Sequence, residues 1–386
     1  MTAALGTSRP LFDRLAAILA APLGRPDNAT ALLAQVANLP TLTEASPSQA
    51  ARTALGHLAS AGLLGYAVPH SGSARVSVPT LCLLRSALAY MSPLYDLMFA
   101  MQGLGSYGAI ASGAAPSWFA GGVAAGQVIC GIGLTEPGAG SDVSLIATTA
   151  RKDSEGSYLL DGEKVFISNA GVATHLVLYA RTDSHPKRGL TAFLLPMDSP
   201  GIIVEPMQLL CDDHVIGRVL LQGVRLPASA RLGSEGQGMS LAMQTLEVFR
   251  PTVGAAAVGM ARRALDEALT YTQKRQQFGQ PLSTLQATQL ALAEMATDCE
   301  AAALLVQRAA QLADAGLPLG TASSMAKLFA TEAAQRVVDR AVQLGGGQAL
   351  VRGHVLERLY RDVRALRIYE GTSEIQKLII ARHLHR

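Results

Sequence analysis

The stretch Leu134-Thr135-Glu136-Pro137-Gly138-Ala139-Gly140-Ser141-Asp142 combines a proline, two glycines and small hydroxyl residues, which predicts a turn and not a helix. Glycine permits a ligand to approach the backbone closely, and such a turn can direct N–H groups toward an anionic or carbonyl-rich ligand. Thr135 and Ser141 add hydroxyls that donate or accept hydrogen bonds. The stretch therefore predicts a binding turn.

A second segment, Ile368-Tyr369-Glu370-Gly371-Thr372-Ser373-Glu374-Ile375-Gln376, places a carboxylate beside a glycine between two helical patterns. Glu370 has two interpretations. It either complements the dipole at the start of a helix or acts as a catalytic base. Glu374, one turn later, can have the first role. The residues by themselves leave both open. Together with the glycine-rich stretch, the segment suggests a cofactor site and a base.

The composition indicates a multidomain, helix-rich protein. The chain has 386 residues, enough for two or three domains. Hydrophobic residues make up 49% and aromatic residues only 5%, so the interior consists mostly of Ala, Leu and Val, which suits tightly packed helices. The net charge of +3 is small for this length and the basic residues are scattered. Nucleic acid is therefore not indicated as a partner.

The spacing of apolar residues changes twice along the chain. Helical spacing, as in Leu84 and Leu88, dominates the first third; period-two spacing, as in residues 175–179, follows it; and helical spacing returns after Gly238. This predicts a mainly α fold with a central β domain. The predicted domains are an N-terminal helical domain at residues 1–127, a middle antiparallel sheet or small barrel at 128–236, and a C-terminal helical bundle at 237–386.

Local signals predict where several elements lie and end. Asp161-Gly162 and Ser199-Pro200-Gly201 punctuate the strand region. Glycines at Gly316 and at 345–347 end two helices of the bundle. The clearest predicted strands contain residues 158–160, 175–179, 190–195 and 217–221.

Cysteine and histidine usage argues against a metal site. The four cysteines are far apart and include no Cys-x-x-Cys pair, and no secretory leader precedes them, which predicts a reducing, cytoplasmic location and no zinc. The eight histidines show no ligand spacing, and the motifs of serine hydrolases, metalloproteases and P-loop enzymes are missing from the sequence. The cysteines are Cys82, Cys130, Cys211 and Cys299.

Three patterns suggest other functions that their contexts disfavour. Gly103-Leu104-Gly105-Ser106-Tyr107-Gly108 matches the dinucleotide fingerprint, but it lacks a preceding strand and a following acid, so we expect close packing of helices. The uncharged stretch between Asp96 and Glu136 is broken by glycines and Pro116, and we expect no membrane span. Arginines recur every three residues at 358–367, which favours a solvated or inter-subunit face over a phosphate track.

On these motifs the chain resembles the acyl-CoA dehydrogenase family over essentially its full length. Residues 132–142 are similar to the first signature of that family, and residues 343–370 to the second. The resemblance implies an N-terminal α-helical domain, a middle β-barrel and a C-terminal four-helix bundle. It also implies FAD between the barrel and the bundle, and an obligate homo-oligomer that is a dimer of dimers, a homotetramer.

The resemblance further implies which residues contact FAD. Phe166 would cover the isoalloxazine where the family often has Trp, so an aromatic surface is kept while the indole N–H is lost. Arg275 and Phe278 would reach the FAD of a neighbouring subunit, together with Gln343 and the glycines after it. The implied cofactor-binding residues are Ile132, Leu134, Thr135, Gly140, Ser141, Phe166, Ser168, Arg275, Phe278, Gln343, Gly346, Gly347, Thr372 and Glu374.

Glu370 matches the catalytic base of the family. In such enzymes this carboxylate removes the pro-R α-proton of an acyl-CoA thioester while the β-hydrogen leaves as hydride to flavin N5, which gives a trans-2-enoyl-CoA. Electrons then pass to an electron-transfer flavoprotein. Some members carry the base at the position occupied here by Phe249. The implied substrate-binding residues are Ser141, Glu247, Arg250 and Gly371.

Two departures from the family pattern concern the acyl group. Residues 209–217 replace a Met-Gly-x-Arg segment, and Ala349 stands where glycine is usual. The expectation is a short- or medium-chain acyl-CoA in fatty acid metabolism. The alternatives are an enzyme of the same fold that acts on a carrier-protein thioester or as an oxidase, and a non-catalytic scaffold with the flavin fold.

Overall fold

The computed structural model describes five stretches of the chain, and these residues pack into two compact units. The helical pattern predicted for residues 11–25 and the pair Asp212-Asp213 lie outside the described residues. The three predicted domains, with boundaries at 127/128 and 236/237, stay a prediction. The described stretches are 26–44, 46–69, 75–185, 189–211 and 214–384; the first unit comprises 26–39, Val78–Asp96 and 250–384, and the second comprises the described parts of Pro40–Ser77 and Leu97–Phe249.

The helices confirm the predicted helical spacing on both sides of the strand region. Gly316 and Gly346 have positive φ just beyond a helix end, as the glycine signals predicted. The α-helices are α1 (Ala29–Ala37), α2 (Pro47–Ser60), α3 (Val78–Met91), α4 (Pro93–Ala111), α5 (Ser117–Ala124), α6 (Gly238–Lys274), α7 (Gln286–Asp314), α8 (Ala322–Gly345), α9 (Val355–Leu366) and α10 (Ser373–Leu384).

The strands of the second unit form one sheet, and a two-stranded hairpin lies in the first unit. The strands of the sheet are β1 (Cys130–Gly133), β2 (Thr149–Lys152), β3 (Tyr158–Ser168), β4 (His175–Arg181), β5 (Leu190–Pro196), β6 (Ile202–Pro206), β7 (Ile216–Leu226) and β8 (Arg231–Leu232). Their order is β6-β7-β3-β2-β4-β5-β8, with β1 beside β4. The hairpin consists of β9 (Gln276–Gln277) and β10 (Gln280–Pro281).

All four predicted strand runs lie within β3, β4, β5 and β7, which confirms them. The prediction of antiparallel pairing is right for most of the sheet, but β1 pairs with β4 in parallel and β2 meets β4 in parallel at one position. Period-two spacing carries no information on strand direction. Parallel neighbours need a crossover connection. The connection from β1 to β4 begins with the glycine-rich turn and includes β2 and β3.

Successive residues of β4 and β5 face two different cores of the second unit. Leu178 and Phe193 belong to a cluster made by the sheet itself. Val177 and Leu194 belong to another cluster, which includes Phe119 of α5 and other helical residues. Because both faces of β4 and β5 are buried, these strands are apolar on both faces, although helices cover only one face.

The glycines of the fingerprint-like segment lie inside α4 and allow close packing, as predicted. A Cβ on Gly103 would lie 2.5 Å from the ring of Phe249, and a Cβ on Gly108 would lie 3.1 Å from Thr245 Oγ1 of α6. Gly105 instead faces β1, since its Cβ would lie 2.7 Å from Cys130 Cβ. The segment is therefore a packing surface within the second unit.

The first unit is a set of closely packed, alanine-rich helices. Gly259 of α6 lies against the carbonyl of Ser86 in α3, where any side chain would collide with backbone. The buried face of α8 carries alanines such as Ala326, Ala330 and Ala334. Small residues allow the helices to approach one another and account for the low aromatic content.

Two further sequence features have a structural counterpart. The four cysteines are buried and none forms a disulfide among the described residues. Within the described stretches, no helix combines the length and apolar character that crossing a membrane requires.

Candidate active site

The glycine-rich turn follows β1 and is closed by two backbone hydrogen bonds. Glu136 N donates to Ala139 O (3.0 Å), and Ala139 N donates to Glu136 O (3.1 Å). Pro137 and Gly138 occupy the two central positions, and the fixed φ of proline suits the first of them. The predicted turn is confirmed as a backbone conformation, and its ligand stays a prediction.

A buried ion pair fixes the turn from inside. Glu136 accepts from Lys164 Nζ (2.7 Å), from Ala147 N (2.6 Å) and from Thr148 N (3.0 Å). Lys164 Nζ also lies 3.3 Å from Leu134 O. Burial alone would raise the pKa of Glu136, but Lys164 and the N–H groups outweigh it and the pKa is lowered. Burial lowers the pKa of Lys164 to about 8 against the attraction of Glu136, so the pair is ionised at neutral pH.

The outer side of the turn is open. A Cβ added at Gly138 or Gly140 would meet no atom of the described residues within 4 Å. Neither glycine has a left-handed φ. Internal packing and backbone conformation therefore do not explain these two glycines, whereas close approach of a ligand does.

An aromatic residue beside the turn is held in an unusual conformation. Phe166 lies at an irregularity between β3 and β7, has a φ of 57° and is 55% exposed. The preceding Val165 N donates to Thr135 O (3.0 Å), which ties β3 to the turn. Left-handed φ is disfavoured for a bulky residue, and such strain concentrates at functional sites. The resemblance also assigned Ile132, Leu134 and Ser168 to FAD. All three are partly buried: Ile132 lies in β1, Leu134 directly follows β1, and Ser168 ends β3.

The first unit contains a second turn, between α9 and α10. Glu370 has a φ of 52° and Gly371 a φ of 93°. Gln376 Nε2 donates to Glu370 O (3.2 Å) and to Gly371 O (3.0 Å), and Lys327 Nζ donates to Gly371 O (2.8 Å). A side chain at Gly371 would lie 2.5 Å from Gln376 Nε2, so both the φ and the packing require glycine there.

Glu370 is half-buried, but its Oε2 atom is buried, and no group among the described residues hydrogen-bonds that oxygen. Burial raises the pKa of this carboxyl above its ordinary value, while the charges of Arg85, Arg250 and Lys327 lower it and that of Asp96 raises it. Of the described residues with left-handed φ other than glycine, Phe166, Phe278 and Glu370 are candidate site residues and Asn169 is the fourth. A strained backbone and a buried acid with an unsatisfied oxygen are typical of a functional carboxylate.

Two charged groups near Glu370 were missed from the sequence. Arg85 forms a bidentate pair with Asp96, with Nε–Oδ1 and Nη2–Oδ2 distances of 2.8 Å, and its Nη1 donates to Thr252 Oγ1 (2.9 Å). Lys327 is completely buried in α8. A lone arginine in an apolar helix and a lone lysine among alanines are the signals that could have found them, since such charges are retained only with partners.

The remaining candidates of the first unit lie at four places. Arg275 and Phe278 are exposed at the β9–β10 hairpin, and Phe278 has a φ of 52° and is 91% exposed. Gln343, Gly346 and Gly347 are exposed at the end of α8. At the start of α10, Thr372 Oγ1 accepts from Ile375 N (3.3 Å) and Glu374 is exposed. Arg250, in α6, is partly buried.

Four further residues named from the resemblance differ in their surroundings. Phe249 is buried within the second unit against Gly103 and Tyr107, with 5.9 Å between the ring centres of Phe249 and Tyr107. Ala349 is buried, and its methyl lies 2.8 Å from the position of a Cβ on Gly345. Glu247 is exposed, as is Ser141 in the glycine-rich turn.

Comparison with known proteins identifies the family. Residues 131–219 match the acyl-CoA dehydrogenase middle domain, and residues 236–385 match the acyl-CoA dehydrogenase C-terminal domain. The mitochondrial short-chain specific acyl-CoA dehydrogenase of Bos taurus is 44% identical over 254 residues, 65% of this chain. This match spans 61% of the length of the bovine protein.

Two further relatives extend the comparison. The 3-(aryl)acrylate reductase of Clostridium sporogenes is 40% identical over 271 residues, which cover 67% of this chain and 69% of the relative. The solved structure of a glutaryl-CoA dehydrogenase from Mycobacterium smegmatis in complex with FADH2 has a TM-score of 0.85 at 27% identity and covers 96% of both chains. This chain belongs to the acyl-CoA dehydrogenase family and has its fold.

Proposed function

We propose that this protein is an FAD-dependent acyl-CoA dehydrogenase that introduces a trans-2 double bond into an acyl-CoA thioester. The observation that carries the proposal is the Glu370 carboxyl, which is buried on a left-handed backbone with no hydrogen bond to Oε2 from the described residues. The α-proton of a thioester is a weak acid. A carboxylate whose pKa is raised by burial is a better match for it than an exposed carboxylate.

The residues present fit FAD. Gly138 and Gly140 leave room where a flavin nucleotide would approach the backbone, and the exposed Phe166 offers an aromatic surface for stacking. Arg275 carries the planar guanidinium that pairs with pyrophosphate oxygens. When bound, FAD supplies the acceptor for the β-hydride. A structural neighbour was solved with FADH2, which supports the same cofactor here.

The protein residues would then divide the work of proton removal. Glu370 Oε2 accepts the α-proton, and the backbone N–H of Glu370 donates to the thioester oxygen as negative charge develops there. One such donor is typically worth about 3 kcal/mol of transition-state stabilisation. Ser141, Glu247, Arg250 and Gly371 are the proposed contacts to the substrate, and Thr372 and Glu374 join the proposed FAD contacts.

The decisive experiment is anaerobic stopped-flow absorbance of the flavin with a panel of short, medium, branched and aromatic acyl-CoAs. Wild type should lose its flavin absorbance with one class, and Glu370→Gln should react about 10²–10⁴-fold more slowly while it retains FAD. Glu294→Gln, an exposed glutamate of α7, is the matched control and should react like wild type. Equal bleaching by Glu370→Gln and wild type would refute the role of Glu370.

The reverse reaction is a second candidate, because the Clostridium sporogenes relative is named a reductase. In that direction the same carboxyl, protonated, would return a proton to the α-carbon, and bound FAD in its reduced form would be the source of the hydride for the β-carbon. Reduced holoprotein mixed with enoyl thioesters distinguishes the two directions. Reoxidation faster than the forward bleaching at matched concentrations would favour the reductase.

Partners and assembly follow as parts of the same proposal. The exposed Arg275 and Phe278 at a strained hairpin support a homo-oligomer, a dimer of dimers, in which this hairpin meets a neighbouring subunit. Electrons would pass to an electron-transfer flavoprotein. The four buried cysteines of this protein form no disulfide, which supports the cytoplasm as the location of the protein. Analytical ultracentrifugation of wild type and Phe278→Ser tests the assembly, since loss of the tetramer is expected in the variant.

A further inference from the structure

Lys327 is a completely buried lysine in the second turn of α8, whose buried face otherwise consists of small, mostly apolar residues. Its Nζ donates to the carbonyl of Gly371 at 2.8 Å. An ammonium group taken out of water costs several kcal/mol unless other groups compensate it. The position would be filled more stably by an apolar residue if packing were its only purpose.

The carbonyl that Lys327 contacts belongs to the residue directly after Glu370. Two donors converge there, because Gln376 Nε2 donates to the carbonyls of both Glu370 and Gly371 (3.2 and 3.0 Å). Both residues have left-handed φ, a conformation that costs a non-glycine residue about 1–2 kcal/mol. The two hydrogen-bonded carbonyls compensate that strain and fix the direction in which the Glu370 side chain leaves the backbone.

We propose that Lys327 is a positioning residue for Glu370: its ammonium anchors the Gly371 carbonyl and places a positive charge beside the carboxyl. This inference rests on the proposed role of Glu370 as the base. It assigns to Lys327 two separable contributions, a hydrogen bond that holds the turn and a charge that favours the carboxylate over the carboxylic acid.

The charges around the two groups are consistent with this division. Glu370 faces Arg85 and Asp96, Arg250 of α6, and Lys327 of α8. Arg85 is already paired in bidentate fashion with Asp96, so much of its charge is offset. Arg85, Arg250 and Lys327 are the cations that oppose the effect of burial on Glu370, and Asp96 acts against them. Besides Glu370, Lys327 faces Arg250, Glu332 of its own helix and Glu374 of α10.

Two substitutions separate the hydrogen bond from the charge. Lys327→Gln keeps an amide donor of shorter reach and removes the charge, whereas Lys327→Met removes both. Lys377→Met, which removes an exposed lysine of α10, is the matched control. The readout is the carboxyl ¹³C signal of Glu370 in holoprotein labelled with [5-¹³C]glutamate, assigned by its loss in Glu370→Gln and followed against pH.

We expect the pKa of Glu370 to rise in both Lys327 variants and to be unchanged in Lys377→Met. The rate of flavin bleaching should fall in both, by about a hundredfold in Lys327→Met, because a displaced base loses the geometry of attack. Its pH profile should move upward with the pKa of Glu370. A Glu370 signal that titrates identically in wild type and Lys327→Gln overturns the inference.

Wild type alone provides a second test that does not depend on how the variants fold. Burial lowers the pKa of Lys327 to about 8. The Glu370 carboxyl signal should therefore show a second inflection near that pH as the neighbouring lysine loses its proton, and the absence of this inflection would contradict the inference. If no thioester bleaches the flavin of wild type, the proposed function fails while both titrations still report on Lys327.

Discussion

The two turns that contain candidate site residues, one in each unit, use the same pair of residue types in opposite ways. In the glycine-rich turn, Glu136 is bonded directly to a buried lysine and to two backbone N–H groups, and its pKa is lowered. In the turn before α10, the buried Lys327 bonds a backbone carbonyl, Glu370 Oε2 receives no hydrogen bond from the described residues, and the pKa of Glu370 is raised.

Under the proposed function, this difference separates a structural carboxylate from a reactive one. A carboxylate with all its oxygens satisfied is a poor base, because proton uptake would break several charge-assisted hydrogen bonds. A buried carboxylate with an unsatisfied oxygen is less stable and more basic. We infer that Glu136 holds a binding turn in shape and that Glu370 is held ready for a proton.

The largest expected effect on stability comes from breaking the Glu136–Lys164 pair. Lys164→Met leaves Glu136 buried and uncompensated, so the free energy of unfolding should fall by about 3–5 kcal/mol. Lys152→Met, at an exposed lysine of β2, is the control and should cost less than about 1 kcal/mol. Urea unfolding followed by circular dichroism measures both. Similar losses in the two variants would mean that the buried pair contributes no more than a surface pair.

The glycines of the two turns should respond differently to an added methyl group. Gly371→Ala should cost about 1–3 kcal/mol, because its φ is left-handed and the methyl would collide with Gln376. Gly140→Ala should change stability by less than about 0.5 kcal/mol, since its Cβ meets no described atom within 4 Å.

Retention of FAD should be affected by Gly140→Ala, the variant that is expected to change stability least. Gly140→Ala should release FAD more readily on dilution, measured by flavin fluorescence, because the methyl fills the space that the cofactor needs. A Gly140→Ala protein that retains FAD as wild type does would contradict a flavin contact at this turn.

The pH dependence of stability should have opposite signs at the two carboxylates. The lowered pKa of Glu136 contributes stability that is present above its unfolded pKa and is lost as the pH falls through the folded value. The raised pKa of Glu370 contributes stability that is present below its unfolded pKa and is lost as the pH rises through the folded value. Relative to wild type, Glu370→Gln should therefore gain stability above about pH 4.5, whereas Glu136→Gln should lose it.

Thermal unfolding of wild type, Glu136→Gln and Glu370→Gln between pH 4 and 7 measures these trends. Glu294→Gln, on the surface of α7, should follow wild type throughout. Parallel trends for Glu136→Gln and Glu370→Gln would remove the distinction between the two turns.

A smaller effect than that of Gly371→Ala is expected at Phe166. Phe166→Asn should raise the stability of the FAD-free protein by up to about 1 kcal/mol, because asparagine tolerates the left-handed φ that phenylalanine disfavours. The same variant should bind FAD more weakly in a fluorescence titration, since the stacking surface is lost. A variant that is less stable without FAD would show that Phe166 is retained for packing within the protein.

The sequence predicted the helices, the four clearest strands and both turns, because these depend on local spacing and on glycine and proline. It did not predict the parallel pairing of β1 with β4, since a period of two is the same in both directions. It also missed Arg85 and Lys327, which each have a hydrogen-bond partner far away along the chain, at Thr252 and Gly371 respectively. The family of the chain was recognised from its two motifs, and the comparisons confirm it.

By itself, the sequence determined which segments turn, which carry strands or helices, and that a glycine-rich turn and a Tyr-Glu-Gly-Thr segment belong together in one family. These properties follow from short-range sterics, hydrogen bonding and apolar periodicity. Only the tertiary structure decided that Glu136 is neutralised by a buried lysine, while the Oε2 atom of Glu370 is buried without a hydrogen-bond partner among the described residues. Identical carboxylates acquire different pKa values from burial and from neighbouring charges, and those are fixed by residues distant in the chain.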